Sequence, residues 1–495
     1  MNRIIVTGLL AGFFAVAGCE GGDGRSTAPS GPSPATDGRP APAAAVEEQG
    51  PLEWSDRNEK VLKAAIDARA RHGLDHLAYW PDLDGKTGEQ RRDLLTRAAL
   101  RFADALADGA LDPARLHKIF ELRRPETDLE AGLRQAIRKN ELKDWLEALA
   151  PQDAAYDALS RAYLTESEAR PAGRDIADGE LVRPGAVDGR VPQIRAALAE
   201  IGYLSEASAD AADQTYDGDM VRAVKTLQAD FGLNPDGIVG PATLEMLNAG
   251  PEDRARTLAV AMERLRWLAR DPASDRIDVN TAAAELSYVR HGEVVDRRRV
   301  VTGRPRTATP QMEAPLYRLV ANPLWTLPRS IQGEVTAKGE DYMANNGFYW
   351  RGGRLVQRSG PGNSLGLVKF DMRNNHAIYL HDTPSKSLFG RQQRQLSHGC
   401  VRVHEAEAFA ARVAADEGVE AEWLEAREKS RETFVPLPRE IPVRLLYQTA
   451  FVTDAGTIRY TTDPYGWDDA VARKLGFSAA AASREFRSDV SDTGP

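Results

Sequence analysis

Ala377-Ile378-Tyr379-Leu380-His381 and, beyond fifteen intervening residues, Ser397-His398-Gly399-Cys400-Val401-Arg402-Val403 are the two stretches around which a β-rich domain can be laid out. The first alternates as a strand. It puts Tyr379 and His381 on one face and Ile378 and Leu380 on the other, so an apolar pair packed on a core aims the imidazole into a cleft. The second enters a further strand through Gly399, whose missing side chain lets the backbone approach closely. The N–H groups of His398, Gly399 and Cys400 are then predicted to converge on one developing oxyanion. Outward from this pair, a period of two begins at Asp275: Ile277-Asp278-Val279-Asn280, the stretch from Ala284 to Val289, and Arg299-Val300-Val301-Thr302 are short strands parted by turns such as His291-Gly292. A mainly β domain is predicted over 273–450. Inside it, about 325–362, Trp325, Tyr342, Phe348, Tyr349 and Trp350 sit among glycines and polar residues. That segment is long enough to cap the cleft. Most of these aromatics would serve equally in a self-packed subdomain, and only Trp325 is singled out as a cleft residue.

Toward the N-terminus the periodicity becomes helical. Leu258, Met262, Leu265 and Leu268 form one stripe, placed as a linking helix over 251–272. Three short helices are predicted within 184–250, carrying Ile194, Leu198 and Ile201, then Met220, Val224, Leu227 and Phe231, then Leu244 and Leu247. The last opens at Gly240-Pro241, where proline's missing N–H does no harm. Over 53–183 the spacing of Leu62, Ile66, Leu95, Phe102 and Leu106 predicts an all-α region, broken at Gly73, Pro81, Pro113 and Pro125. His72, His76 and His117 lie there without cysteines or repeated carboxylates nearby and are placed as surface or capping residues. Residues 19–52, rich in Pro, Gly and Ser, cannot form a core and read as a tether. Residues 451–495 remain a C-terminal segment. A chain of 495 residues exceeds the ~250–300 at which one core stops growing. The fold class is therefore multidomain α+β.

The balance of 64 Lys plus Arg against 73 Asp plus Glu, a net charge of −9, excludes a nucleic-acid partner, which needs a broad basic face. Arg3 and the apolar run Ile4 to Gly18 read as an export signal over 1–18, because a bilayer-spanning helix needs ~20 residues. Val16-Ala17-Gly18-Cys19 resembles a bacterial lipoprotein box, which implies acylation of Cys19. A secretory signal cleaved elsewhere, or a short uncleaved anchor, would use the same residues. Cys19 and Cys400 are the only cysteines of the chain. Once Cys19 is acylated no disulfide remains possible, and an unpaired thiol in an oxidising compartment is a liability unless its reactivity is used. An isolated thiol, with a pKa of ~8.5, is only a few per cent ionised at neutral pH. A neighbouring imidazole changes that. Either His381 takes the proton as substrate arrives, or the two rest as an ion pair; in both cases an acyl group passes to sulfur and His381 protonates the leaving amine. A zinc site built from Cys400, His381, His398 and His404, or a purely structural core pair, would use some of the same residues. Neither a metal nor a cofactor is assigned.

Two families are resembled by these motifs. Val221, Lys225, Leu227, Gln228 and Phe231-Gly232-Leu233, with Asp236-Gly237-Ile238-Val239-Gly240-Pro241-Ala242-Thr243-Leu244, look like the peptidoglycan-binding domain type 1, implying a glycan-binding module, unless it has kept the fold as a spacer. His381-Asp382 with Ser397-His398-Gly399-Cys400-Val401-Arg402 resembles the L,D-transpeptidase (YkuD-type) family. Three flanks agree: Asn322 to Pro328, Gly360 to Gly366, and Ile378 to Pro384. The likeness is to large Gram-negative members with a helical scaffold, a peptidoglycan-binding module and a capped catalytic domain. It implies Cys400 as nucleophile, His381 as base, Asp382 supporting His381 through its backbone, and Ser397, His398 and Gly399 around the oxyanion. Arg402 would bind a stem carboxylate, or else make a surface ion pair. Tyr379 would order the donor or merely pack. The implied reaction joins peptidoglycan stem peptides by 3→3 cross-links through a thioester, releasing D-Ala, with carbapenems acylating the same thiol. Transfer of the same thioester to water or to a protein amine, or a non-catalytic wall-binding lipoprotein, are the other functions these features allow. The implied location is the periplasm, on a membrane through the Cys19 lipid.

Overall fold

The computed structural model describes residues 50–169, 175–205, 212–231, 233–391 and 393–478. The export signal, Cys19, most of the tether, Gly232 and the end of the C-terminal segment lie outside them. The predicted helical region is present as helices Asp56–Asp67, Gly88–Ala107, Leu129–Lys139, Leu142–Leu149 and Ala154–Glu168. Three of them start on side-chain caps, Ser55, Asp128 and Asp153, each accepting from a backbone N–H of the first turn. Leu62, Ile66, Leu95, Phe102, Leu106, Leu133, Ile137, Tyr156 and Tyr163 meet in one buried cluster.

The helix expected to be a link, Pro251–Arg266, is instead the centre of that cluster. Leu258, Ala259, Val260, Ala261 and Met262 are all fully buried, as in a helix surrounded by protein. Its polar groups are buried in pairs. Glu263 bonds Arg266 at 2.6 Å and Trp267 Nε1 at 3.1 Å, and accepts from the N–H groups of Ala110 and Leu111. Arg264 pairs with Asp468, which brings the C-terminal helix Trp467–Lys474 into the same core. The helical unit is thus assembled from three separate stretches of chain. Periodicity could mark the stripe on 251–266, but not that the opposite face is covered as well. His117 is also not at the surface. It is buried among Phe120, Trp267 and Trp467, and burial pushes its pKa down to about 3. His72, against Tyr156 OH at 3.1 Å, is lowered to about 3 for the same reason.

The three-helix module has its expected form: Val191–Glu200, Gly218–Asp230 and Pro241–Asn248 pack Ile194, Leu198, Met220, Val224, Leu227 and Leu244. Gln228 clasps the turn before the third helix. It accepts from Gly237 N at 2.8 Å and donates to Ile238 O at 2.9 Å. Phe231 stacks on Tyr460 of the hairpin formed by Ala450–Val452 and Ile458–Tyr460.

The helical unit contributes one short strand, β1 (Phe120–Glu121). The β domain follows with β2 (Arg276–Asn280), β3 (Glu285–Arg290), β4 (Glu293–Gly303) and β5 (Gln311–Ala321). An insertion carries β6 (Trp325–Thr326), β7 (Phe348–Arg351) and β8 (Arg354–Gln357); then come β9 (Val368–Met372), β10 (Leu380–His381), β11 (Gln395–Ser397), β12 (Val401–Val403) and β13 (Thr433–Leu446). The order β5-β13-β2-β3-β4-β12-β10-β9 closes on itself, because β9 pairs back to β5; β1 and β11 attach at the side. Ile277, Leu286, Leu316, Phe370, Leu380, Val401 and Val443 share a core with Phe409 and Trp423 of helices Ala406–Asp416 and Glu420–Glu428. The insertion forms a three-stranded sheet and two helices, Arg329–Thr336 and Glu340–Asn345. Its own core of Trp325, Leu327, Ile331, Val335 and Leu355 is continuous with Tyr379 and Cys400.

Replacing Glu263 by alanine leaves Arg266 buried without its carboxylate and is expected to cost about 3–5 kcal/mol, read as a lower urea midpoint. Lys63→Ala, at the exposed Lys63–Asp67 pair, should change the unfolding free energy by less than about 0.5 kcal/mol in the same titration.

Candidate active site

The β10–β12 pairing is parallel, with Leu380 opposite Val401 and His381 opposite Arg402, and Val401 N donates to Tyr379 O at 3.1 Å. Paired residues on neighbouring strands point to the same face. Leu380 and Val401 therefore enter the core together, while Tyr379, His381, Cys400 and Arg402 gather on the face beneath the insertion. On the other side of β10, His381 lies opposite Lys369 of β9, whose ammonium sits 4.2 Å from the centre of the Tyr379 ring and pairs with Asp371 at 2.7 Å. Lys369 is a cation of the site that the motifs do not mark. The alternation Val368-Lys369-Phe370-Asp371 was its only sequence signal.

His381 is fully buried, and its Nδ1 is hydrogen-bonded to the carbonyl of Asp382. A carbonyl only accepts, so Nδ1 carries the proton and Nε2 is the basic nitrogen. The Asp382 carboxylate is 3 % exposed and directed at the neighbouring loop. It accepts from Leu367 N at 3.1 Å and pairs with Lys386. A Cβ on Gly366 would fall 2.2 Å from its Oδ2, so the loop closes directly over it. Asp382 thus reaches His381 through its backbone carbonyl, while its side chain ties down the loop at Gly366 and Leu367.

Ser397 is wholly buried and organises the turn before the thiol: its hydroxyl donates to Cys400 O at 2.6 Å and accepts from Gly399 N at 3.1 Å. The Gly399 N–H is therefore engaged inside the turn and does not point at an oxyanion, contrary to the expectation of three converging amides. Nor is space the reason for glycine here. An added Cβ would stand 3.4 Å from Ile378 and 3.6 Å from Thr307, in ordinary contact. What requires glycine is φ = +122°, a backbone conformation L-residues rarely adopt. His398 projects from the turn against Arg304, whose Nη2 is 2.6 Å from Nε2 and 3.0 Å from Nδ1, and against Glu334 of the insertion, 3.3 Å from Nε2. Neither Arg304, on a loop, nor Glu334, on the helix Arg329–Thr336, was singled out by the motifs, since both are distant in sequence from His398.

Cys400 is 7 % exposed, under Trp325, Leu327 and Tyr379, and its thiol points to Ala377 O at 3.6 Å. Ala377 holds φ = +56°, in the left-handed region. Burial pushes the thiol up to about 11, against the opposing pull of the Tyr379 hydrogen bonds and the charges of Lys369 and Arg402. Burial, and next the adjacent Cys400, also raise Tyr379 well above its ordinary value, so the phenol stays protonated beside the sulfur. In this state the thiol is held in its neutral form by burial. Arg402 is 1 % exposed, so it is an interior and not a surface residue, and its charge lies near enough to the thiol to oppose the effect of burial. His404 packs edge-on to Phe389 and takes no part.

Residues 274–422 match the model of the "L,D-transpeptidase catalytic domain", 188–247 that of the "Putative peptidoglycan binding domain", and 49–162 that of the "Scaffold domain". The chain thus carries a YkuD-type L,D-transpeptidase catalytic domain together with a scaffold and a peptidoglycan-binding module, on a multidomain α+β architecture. A Haemophilus influenzae protein named "Putative L,D-transpeptidase" is 30% identical over 244 residues, 43% of this chain and 48% of that protein, so the chain spans about half the length of this curated relative. Among solved structures, an L,D-transpeptidase from Stackebrandtia nassauensis is 14% identical, with 56% of this chain and 97% of that one covered at a TM-score of 0.23. One from Mycobacterium smegmatis is 13% identical, with 36% and 60% covered at 0.21.

If burial under the insertion is what silences the thiol, Trp325→Ala should lower the Cys400 pKa and raise its alkylation by iodoacetamide at pH 8 by about tenfold or more. An unchanged pH profile of alkylation would show that the insertion does not set the thiol's acidity.

Proposed function

We propose that this protein is an L,D-transpeptidase that forms 3→3 cross-links in peptidoglycan, with Cys400 as nucleophile and His381 as general base. The observation that carries the proposal is the shared face of β10 and β12, which puts a thiol, an imidazole with its basic nitrogen defined and a protonated phenol under one cap. His381 Nε2 takes the thiol proton as sulfur attacks the carbonyl of the third stem residue. The C–N bond to the terminal D-Ala breaks, and His381 returns the proton to the leaving amine. The side-chain amine of a second stem then attacks the thioester, losing a proton through His381, and regenerates the thiol. Tyr379 offers an O–H beside the sulfur for the oxyanion, where the Gly399 amide is already engaged. Within the same proposal, the module at 188–247 holds the enzyme on glycan, Cys19 carries a lipid, and the site faces the periplasm.

Incubating the full chain with tetrapeptide muropeptides and analysing products by mass spectrometry should yield dimers together with free D-Ala. Cys400→Ala should abolish both. Loss of D-Ala without dimers would sink cross-linking in favour of a carboxypeptidase.

A further inference from the structure

The turn that carries Cys400 is held from outside by the loop running from Gly303 to Thr309. Arg304 N and Thr307 Oγ1 both donate to Ser397 O, at 2.9 and 3.0 Å. Thr309 Oγ1 donates to Gly399 O at 2.8 Å and accepts from Gly303 N at 2.8 Å. The loop is wound so closely that a Cβ on Gly303 would fall 2.1 Å from Thr307 O and 2.7 Å from Thr309 N. Both of its ends are fastened by one phenol: Tyr465 OH donates to Gly303 O at 2.8 Å and accepts from Thr309 N at 3.3 Å, with Thr302 Oγ1 at 3.4 Å.

Tyr465 lies beyond residue 422, where the match to the catalytic domain ends. It stacks on Tyr447, with ring centres 5.1 Å apart, packs at a tilt against Trp467 at 4.8 Å, and its N–H donates to Tyr447 OH at 3.0 Å. Arg264 of the buried scaffold helix lies over the Tyr447 ring at 4.9 Å and pairs with Asp468, next to Trp467. Packed side chains thus run without a break from the scaffold core to the carbonyl preceding Cys400.

We infer that Tyr465 is a positioning residue for Cys400: by fastening both ends of the 303–309 loop it sets the Gly399 carbonyl, and with it the direction from which sulfur attacks. The inference rests on Cys400 being the nucleophile. It makes the C-terminal segment, through the scaffold core that anchors it, part of the catalytic apparatus. The hydroxyl is the working group, and the ring serves only to hold it.

The test is covalent acylation of the full chain by a carbapenem, followed by intact mass. Its amplitude counts folded protein, and its rate constant at saturation reports the alignment of the thiol. Tyr465→Phe keeps the stacked ring and should lower that rate constant about tenfold, with amplitude and half-saturating concentration within about twofold of the unsubstituted chain. Thr309→Val should be slowed similarly, Thr309→Ser should stay within about twofold of the original, and the Tyr465→Phe/Thr309→Val double variant should be no slower than Thr309→Val, because both act through one path. A rate constant for Tyr465→Phe equal to the original, a loss confined to amplitude, or losses that multiply in the double variant would each overturn the brace. Absence of any adduct on the unsubstituted chain would instead refute Cys400 as the nucleophile, and the brace with it.

Discussion

The whole site depends on the parallel register between β10 and β12. Because Leu380 pairs with Val401, the apolar side chains of both strands enter the core on one face, and Tyr379, His381, Cys400 and Arg402 are delivered together to the other. A slip of one residue would move every one of these side chains to the wrong face. The register is secured from both sides: Phe370 of β9 faces Leu380, and Arg402 of β12 faces Val301 of β4. The closed strand circuit leaves neither β10 nor β12 at an edge, which suits a pair of strands only two and three residues long.

The same burial that organises the site also restrains it. Desolvation under the insertion holds the thiol neutral and the Tyr379 phenol protonated. Lys369 and Arg402 lean the other way, lowering the cost of a thiolate when it forms. A protonated, covered thiol is also protected from adventitious oxidation, since oxidation follows thiolate character and exposure. The insertion therefore shapes this environment by excluding water as much as by contact.

A second organising element is the buried helix Pro251–Arg266. It joins the peptidoglycan-binding module to the β domain in sequence, yet in space it is the axis on which the scaffold and the C-terminal helix are packed. Its charges are retained in the interior because each has its partner, Glu263 with Arg266 and Arg264 with Asp468. Truncating the chain at the end of the catalytic match would remove the segment that closes this core and supports the loop beside Ser397 and Gly399.

The sequence alone determined what depends on local periodicity and short motifs. The α+β class, the stripes of the three-helix module and the two-faced strand ending at His381 all follow from side-chain alternation within a few residues. Tertiary structure decided what depends on coverage and long-range pairing. That 251–266 is a core helix, that His117 is interior, that Arg402 lies under the site and that Asp382 faces a loop are matters of what packs on the far side, which no period records. The role of Gly399 belongs to the same group: only the folded turn shows that its amide is taken by Ser397 and that its φ, not its size, is what glycine supplies. Tyr465, Arg304, Glu334 and Lys369 reach the site through contacts between residues tens to more than a hundred positions apart, and it is the closure of the fold that brings them there.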